Sequence, residues 1–329
     1  ITNFIYSALT SVFDTPFDFE SVALESFRFQ AENNAVYHNY LKLLNINPLK
    51  IDSISKIPFL PISFFKTKKV VTGNIDSSAI VFSSSRTTGT EPSLHYVSDI
   101  SLYEKAFTQA FNHFYTSTDQ WCILALLPSY LEREGSSLVY MCQHLVEKTG
   151  KKNSGFYLND FRKLADTITV NEQRGIKTLL IGVSFALLDF AHAYPMPLKN
   201  TVIMETGGMK GRRKEMIRQE LHAILKEAFL LNVIHSEYGM TELLSQAYSS
   251  GNGIFHCPPW MKVFVRDSND PLSESIPGQG GINIIDLANI NSCCFISTQD
   301  IGRVYDDGTF EILGRFENAE VRGCNLLIE

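Results

Sequence analysis

Short apolar runs, each followed by a segment of helical length, limit what this chain can fold into. Trp121 to Leu127, Thr178 to Val183 and Thr201 to Met204 carry no in–out alternation. A strand with one wet face alternates with period two, so these runs predict strands covered on both faces. Helical patterns fill the intervals: Ser98 to Tyr115, capped by Ser98 or Asp99, then Ser136 to Lys148, Ser184 to Tyr194 and the amphipathic Arg212 to Phe229. Ala79 to Phe82 and Asn232 to His235 read as two shorter strands. Such repetition predicts a mainly parallel sheet with helices, an α/β body.

The flanks differ. Phe19 to Leu44 reads as one helix, ended by Asn47-Pro48. The Pro- and Phe-rich stretch Ile57 to Phe65 reads as a packed connection rather than a flexible linker. Beyond Gly251, short strands are expected at Met261–Arg266, Gly281–Ile285, Cys293–Ser297, Arg303–Tyr305 and Thr309–Leu313, with Asp306-Asp307-Gly308 as a hairpin turn. The expected organisation is an N-terminal helical segment packed on the body over 1–78, an α/β core over 79–250 and a β-rich C-terminal subdomain over 251–329.

Composition removes several function classes. A hydrophobic share of 44% is enough for a real core, and a net charge of −6 leaves no basic footprint for nucleic acid. The longest apolar stretch, Thr178 to Tyr194, is interrupted by Asp189 and by a strand-to-helix turn at Gly182-Val183-Ser184, so no membrane span is expected. No secretory signal is read from Ile1 onward. Six cysteines without CxxC spacing suggest reduced thiols in a cytoplasmic protein, not a disulfide framework or a zinc site. Cys293 and Cys294 read as packing residues on opposite faces of a strand.

Three segments carry chemistry. Ser83 to Pro92 follows a strand and is rich in hydroxyls, with Ser84, Ser85, Thr87, Thr88, Gly89 and Thr90 in sequence around Arg86. Backbone N–H groups and hydroxyls in a tight loop suit a polyphosphate, although a polar surface turn would look the same. Ser236-Glu237-Tyr238-Gly239-Met240-Thr241-Glu242 follows the strand expected at Asn232–His235. Ser297-Thr298-Gln299-Asp300-Ile301-Gly302-Arg303 offers a carboxylate, Asp300, that serves either a ribose or a turn.

Taken in order, these segments resemble the acyl-adenylate-forming superfamily. The run Ser84 to Gly89 resembles its phosphate loop, with Arg86 in place of glycine and Ser93 in place of lysine. Tyr238 to Glu242 matches its Tyr-Gly-x-Thr-Glu motif at every fixed position, and Thr298 to Gly302 resembles its Thr-Gly-Asp-x-Gly segment with Gln299 replacing a glycine. The resemblance implies that Tyr238, Gly239, Met240 and Thr241 contact the nucleotide, that Gly207 and Gly208 lie against the adenine, and that Asp300 holds the ribose. It also implies that Arg315 sits near ribose and phosphate, that Glu242 holds Mg2+ and that ATP is the cofactor. Glu317 or Asn318 represents the hinge acid, and because about a dozen residues follow, the usual mobile C-terminal domain is expected to be absent. The implied fold is the large-domain fold of an adenylating enzyme.

A narrower resemblance points to the acyl-protein synthetases of bacterial bioluminescence (LuxE-type). It rests on Leu126 to Leu138, Gly207 to Arg213 and Val321-Arg322-Gly323-Cys324. It implies that a fatty acid is adenylated, that the acyl group passes to the Cys324 thiol and that an acyl reductase partner collects it. Arg322 shares a face with Cys324 if the segment is extended and would favour the thiolate; the alternative is a small buried residue before Leu326, Leu327 and Ile328. Tyr130, Arg133 and Glu134 either face the acyl carboxylate or belong to a solvated loop, and His235 either lines the same pocket or packs in the core. Two competing readings are an acyl- or aryl-CoA ligase of phenylacetate type and a non-catalytic nucleotide- or acyl-binding subunit in which Arg86 closes the loop.

Overall fold

A computed structural model describes residues 11–13, 16–74, 79–84, 91–128, 135–207, 216–268, 270, 272–273 and 278–316. Among the described residues the first α-helices are α1 (Phe19–Asn33) and α2 (Ala35–Leu43), followed by β1 (Leu60–Pro61) and the single turn α3 (Phe64–Thr67). A hairpin of β2 (Ile80–Ser83) and β3 (Leu94–Val97) follows. Helices and strands then alternate: α4 (Ile100–Tyr115), β4 (Cys122–Leu126), α5 (Ser137–Thr149), β5 (Gly155–Phe156), α6 (Phe161–Gln173), β6 (Thr178–Val183), α7 (Ser184–Ala193), β7 (Thr201–Thr206), α8 (Arg218–Phe229) and β8 (His235–Tyr238). The last third is β9 (Ala247–Ser249), β10 (Ile254–Phe255), β11 (Met261–Arg266), β12 (Gly278–Asp286), β13 (Phe295–Val304) and β14 (Phe310–Arg315).

The central sheet runs β5-β4-β6-β7-β8-β9, parallel throughout except for β9. Every residue of β4 and β6 is buried, which explains the missing alternation. The second sheet, β10-β14-β13-β12-β11, is antiparallel, and β1 from the N-terminal third joins it in parallel on β13. Tyr37 of α2 stacks on Phe295 of β13 with ring centroids 6.1 Å apart, and Phe27 of α1 meets the same ring edge-on at 5.9 Å. Burying such a ring contributes about 2–3 kcal/mol. Among the described residues no helix is long and apolar enough to cross a membrane.

Four expectations need correction. The helix expected over 19–44 is two helices, because Asn34 is extended (φ −107, ψ 105). Its Oδ1 accepts from the Tyr37 amide at 3.0 Å and its Nδ2 donates to the Ser292 carbonyl at 2.7 Å, so a tertiary bond and a cap together outbid helix continuation. The strand near Ala79–Phe82 lies outside the parallel sheet and pairs antiparallel with Leu94–Val97, a strand the sequence reading missed. The strands expected at Cys293–Ser297 and Arg303–Tyr305 merge into one, β13, which starts at Phe295, after Cys293 and Cys294, ends at Val304 and shifts register at Ile301/Gly302. The strand expected at Asn232–His235 instead occupies His235–Tyr238. Asp99, not Ser98, caps α4, accepting from the Ser101 amide at 3.0 Å.

Candidate nucleotide site

β7 and β8 lie side by side, so Thr206-Gly207 and Tyr238-Gly239 leave the sheet at its carboxyl edge, where open α/β sheets place ligands. β13 and β14 of the other sheet bring Asp300 opposite Arg315. Tyr238 joins the two sheets: its hydroxyl donates to Asp300 Oδ2 at 2.7 Å. Arg315 Nε donates to Asp300 Oδ1 at 3.0 Å. The Tyr238 ring packs against Phe310 (5.5 Å, edge-on) and Phe255 (5.8 Å), which fixes its plane. Burial, reinforced by the Asp300 charge, pushes the Tyr238 phenol well above its usual range, so it remains a donor. Asp300 is buried, while the Arg315 side chain is 67% exposed and can reach a ligand from the open side.

The β2–β3 hairpin frames the phosphate-loop segment. The Ser84 amide donates to Ser93 O at 3.0 Å, and the Ser93 amide donates to Ser84 Oγ at 2.9 Å. This reciprocal pair closes the loop at its base. Ser93, which replaces a lysine by resemblance, also hydrogen-bonds the Glu242 carboxylate. Ser85, Arg86, Thr87, Thr88, Gly89, Thr90, Gly208 and Cys324 lie outside the described residues, as do Tyr130, Arg133, Glu134, Glu317, Asn318 and Arg322.

Glu242 is buried beside the same cluster. Burial raises its pKa, and the Ser93 bond and the nearby Arg315 charge oppose the rise. Among the described residues no group of three or more His, Cys, Asp or Glu side chains could hold a metal. A carboxylate bonded to the Ser93 hydroxyl nevertheless fits magnesium, which binds through one or two carboxylates and completes its shell with water and substrate phosphates. Past Glu242, Asp286 accepts from the Leu244 and Ser245 amides at 2.9 and 3.0 Å and pins the irregular backbone that follows the motif.

Sequence reading passed over Glu237. It sits one residue before Tyr238 with its carboxyl deep in the protein, and burial pushes it up to about 7 against the lowering effect of the Thr206 hydroxyl bonded to it. No local signal marked it, because the strand expected from the sequence ended at His235, and it is the observed β8, between β7 and β9, that encloses the acid. Its carboxylate also accounts for Gly239, where a Cβ would lie 2.5 Å from Glu237 Oε1. Beneath it, Glu205 is held below the usual carboxylate range: burial would raise it, but bonds from His222 and Arg218 prevail. His235 is engaged elsewhere, its Nδ1 2.9 Å from the Tyr115 hydroxyl. A separate hollow of about 580 Å³, lined by Phe13, Phe17, Asn112, His113 and Trp260 among others, contains none of the predicted site residues.

The fold is the large-domain fold of adenylating enzymes. ATP-bound MatB from Rhodopseudomonas palustris superposes with a TM-score of 0.54 at 15% identity over 71% of this chain. The chain spans 47% of MatB's length. An open conformation of 2-hydroxyisobutyryl-CoA ligase, solved with 2-HIB-AMP and CoA, gives a TM-score of 0.62 at 11% identity over 91% of this chain and 70% of its own. With its ordered motifs, the chain resembles the acyl-adenylate-forming superfamily in both sequence and fold. Within that class it is similar to the long-chain-fatty-acid–luciferin-component ligase of Vibrio harveyi, at 24% identity over 92% of this chain and 84% of that protein. No protein-family model matches the chain.

Proposed function

We propose that this protein activates a carboxylic acid, a fatty acid by likeness to the Vibrio harveyi ligase, with ATP and passes the acyl group to the thiol of Cys324. The observation that carries the reading is the convergence of Tyr238, Asp300, Arg315 and Glu242, drawn from both sheets, at the edge next to the hairpin that holds Ser84 and Ser93. In the first step a carboxylate oxygen of the acid attacks the α-phosphorus of ATP; the bond to the β-phosphate oxygen breaks and pyrophosphate leaves. Asp300 accepts hydrogen bonds from ribose hydroxyls with its remaining lone pairs. Arg315 favours negative charge building on the phosphate, and the phosphate loop with Thr241 donates to its oxygens. Glu242 would hold a magnesium ion, which supplies neutralisation of triphosphate charge. In the second step the Cys324 thiolate attacks the acyl carbonyl, a thioester forms and AMP departs.

Intact-mass measurement after incubation with ATP, Mg2+ and a fatty acid tests the reading. A hydroxylamine-labile mass increment equal to one acyl group is expected, and Cys324→Ser abolishes it while ATP–pyrophosphate exchange persists. Acyl-CoA formed on adding coenzyme A, with no protein adduct, would move the assignment to an acyl-CoA ligase. Nucleotide binding without exchange would leave only a binding subunit.

A further inference from the structure

His95 lies on β3, two residues past Ser93, and its ring is fully buried against Phe65. Its Nδ1 lies 2.8 Å from the Thr241 carbonyl, which can only accept, so this contact is a hydrogen bond in the tautomer that carries its proton on Nδ1. Its Nε2 edge lies 3.1 Å from Asn289 Oδ1. The other end of the Asn289 amide, Nδ2, donates to the Glu242 carbonyl at 2.8 Å. Asn289 is itself held from behind: Gln30 of α1 donates to the carbonyls of Asn289 and Ile290 at 3.2 and 2.8 Å, and the Cys294 amide donates to Gln30 Oε1 at 2.9 Å. Consecutive carbonyls of the Thr241-Glu242 motif are thus gripped by two side chains from different parts of the chain. One is on the hairpin that frames the phosphate loop; the other is on a turn anchored to the N-terminal helix.

We propose that His95 and Asn289 are positioning residues that set the phosphate-loop hairpin and the Thr241-Glu242 backbone in fixed register, so that triphosphate and magnesium carboxylate meet at one distance. The proposal rests on the nucleotide-site reading above. Both side chains are buried and act through the backbone they hold. Ser93 and Glu242 already meet through their side chains, but that bond fixes only the end of a flexible carboxylate. The His95 and Asn289 contacts fix the backbone from which the Thr241 hydroxyl and the Glu242 carboxylate project. Misplacement by a fraction of an ångström would weaken MgATP use while sparing the acid.

The test compares His95→Leu, which keeps bulk without a donor, with His95→Asn, whose Nδ2 can take the place of Nδ1–H toward Thr241 O. Asn289→Leu probes the second grip. In ATP–pyrophosphate exchange, His95→Leu and Asn289→Leu are expected to raise KM for MgATP and the Mg2+ needed for half-maximal rate on the order of tenfold. KM for the acid stays within about twofold, and His95→Asn recovers most of the loss. Equal losses in His95→Leu and His95→Asn overturn the proposal. So does a fall in rate that merely tracks the folded fraction measured by circular dichroism, with both KM values unchanged. Should the wild type show no exchange at all, the functional reading fails instead. Amide hydrogen exchange across Thr241 to Leu244 then decides the positioning role: faster in His95→Leu but not in His95→Asn supports it, and no difference between the two variants overturns it.

Discussion

At the scale of single residues, the site is a set of carboxyls given different tasks by their surroundings. Asp300 accepts from Tyr238 and Arg315, and a bond from a neutral donor to a charged acceptor contributes about 1.5–3 kcal/mol. Tyr238→Phe is therefore expected to lower stability by about 1–2 kcal/mol in urea denaturation and to loosen Asp300, which under the proposed function raises KM for ATP severalfold. Glu237 behaves differently. Its folded pKa, about 7, exceeds that of an unfolded glutamate, so between about pH 4.5 and 7 the native state binds more protons than the unfolded chain. Its contribution is complete below that window and is lost as pH rises through it. Glu237→Gln should thus flatten the pH dependence of stability and leave the protein relatively more stable at pH 8 than at pH 5, measured as the difference from wild type in urea midpoints. The motif Tyr238 to Glu242 was legible because every fixed position is present in one short stretch. The tasks of Glu237, Ser93 and His95 were not, because each depends on a partner distant in sequence or on enclosure by several elements.

Among the elements, the strands whose residues are all buried were the most readable, and β6 matches the expected Thr178–Val183 at both ends. Misreadings cluster where a short segment owes its conformation to a distant one. Leu94–Val97 is a strand because it pairs with Ile80–Ser83 across the phosphate-loop segment, and nothing local announces it. Asn34 separates two helices because Ser292 and the Tyr37 amide both engage its side chain. Asn34→Ala removes the cap and leaves buried partners unmet, and a loss of about 2–3 kcal/mol is expected by chemical denaturation. The same dependence on distant partners applies to α8. Arg218 donates to Glu205 beneath the site at 2.9 Å and to Ile312 O on β14 at 3.2 Å, fastening the parallel sheet to the antiparallel one. Arg218→Met, which keeps much of the stem, should cost about 1–3 kcal/mol by thermal melting, since it takes a charged donor from the buried Glu205 and leaves it the bonds from His222, Ser184 and Ser236.

For the whole molecule, contacts cross the boundaries proposed at 78/79 and 250/251. β1 pairs with β13, Gln30 reaches the turn before β13, and Tyr238 of one sheet bonds Asp300 of the other. Differential scanning calorimetry should accordingly give one cooperative transition, with calorimetric and van't Hoff enthalpies equal, rather than separate melting of three parts. The position of Arg315 has a kinetic consequence as well. It grips Asp300 from the last residue of β14, and Cys324 follows nine residues later in the sequence. Covalent geometry alone keeps that sulfur within about 30 Å of Arg315, and so of any adenylate formed at the proposed site. Confinement to so small a sphere amounts to a local concentration in the millimolar range, far above that of the protein in solution. Self-acylation should therefore run as a unimolecular event, with a rate per molecule that a hundredfold dilution of the enzyme leaves untouched.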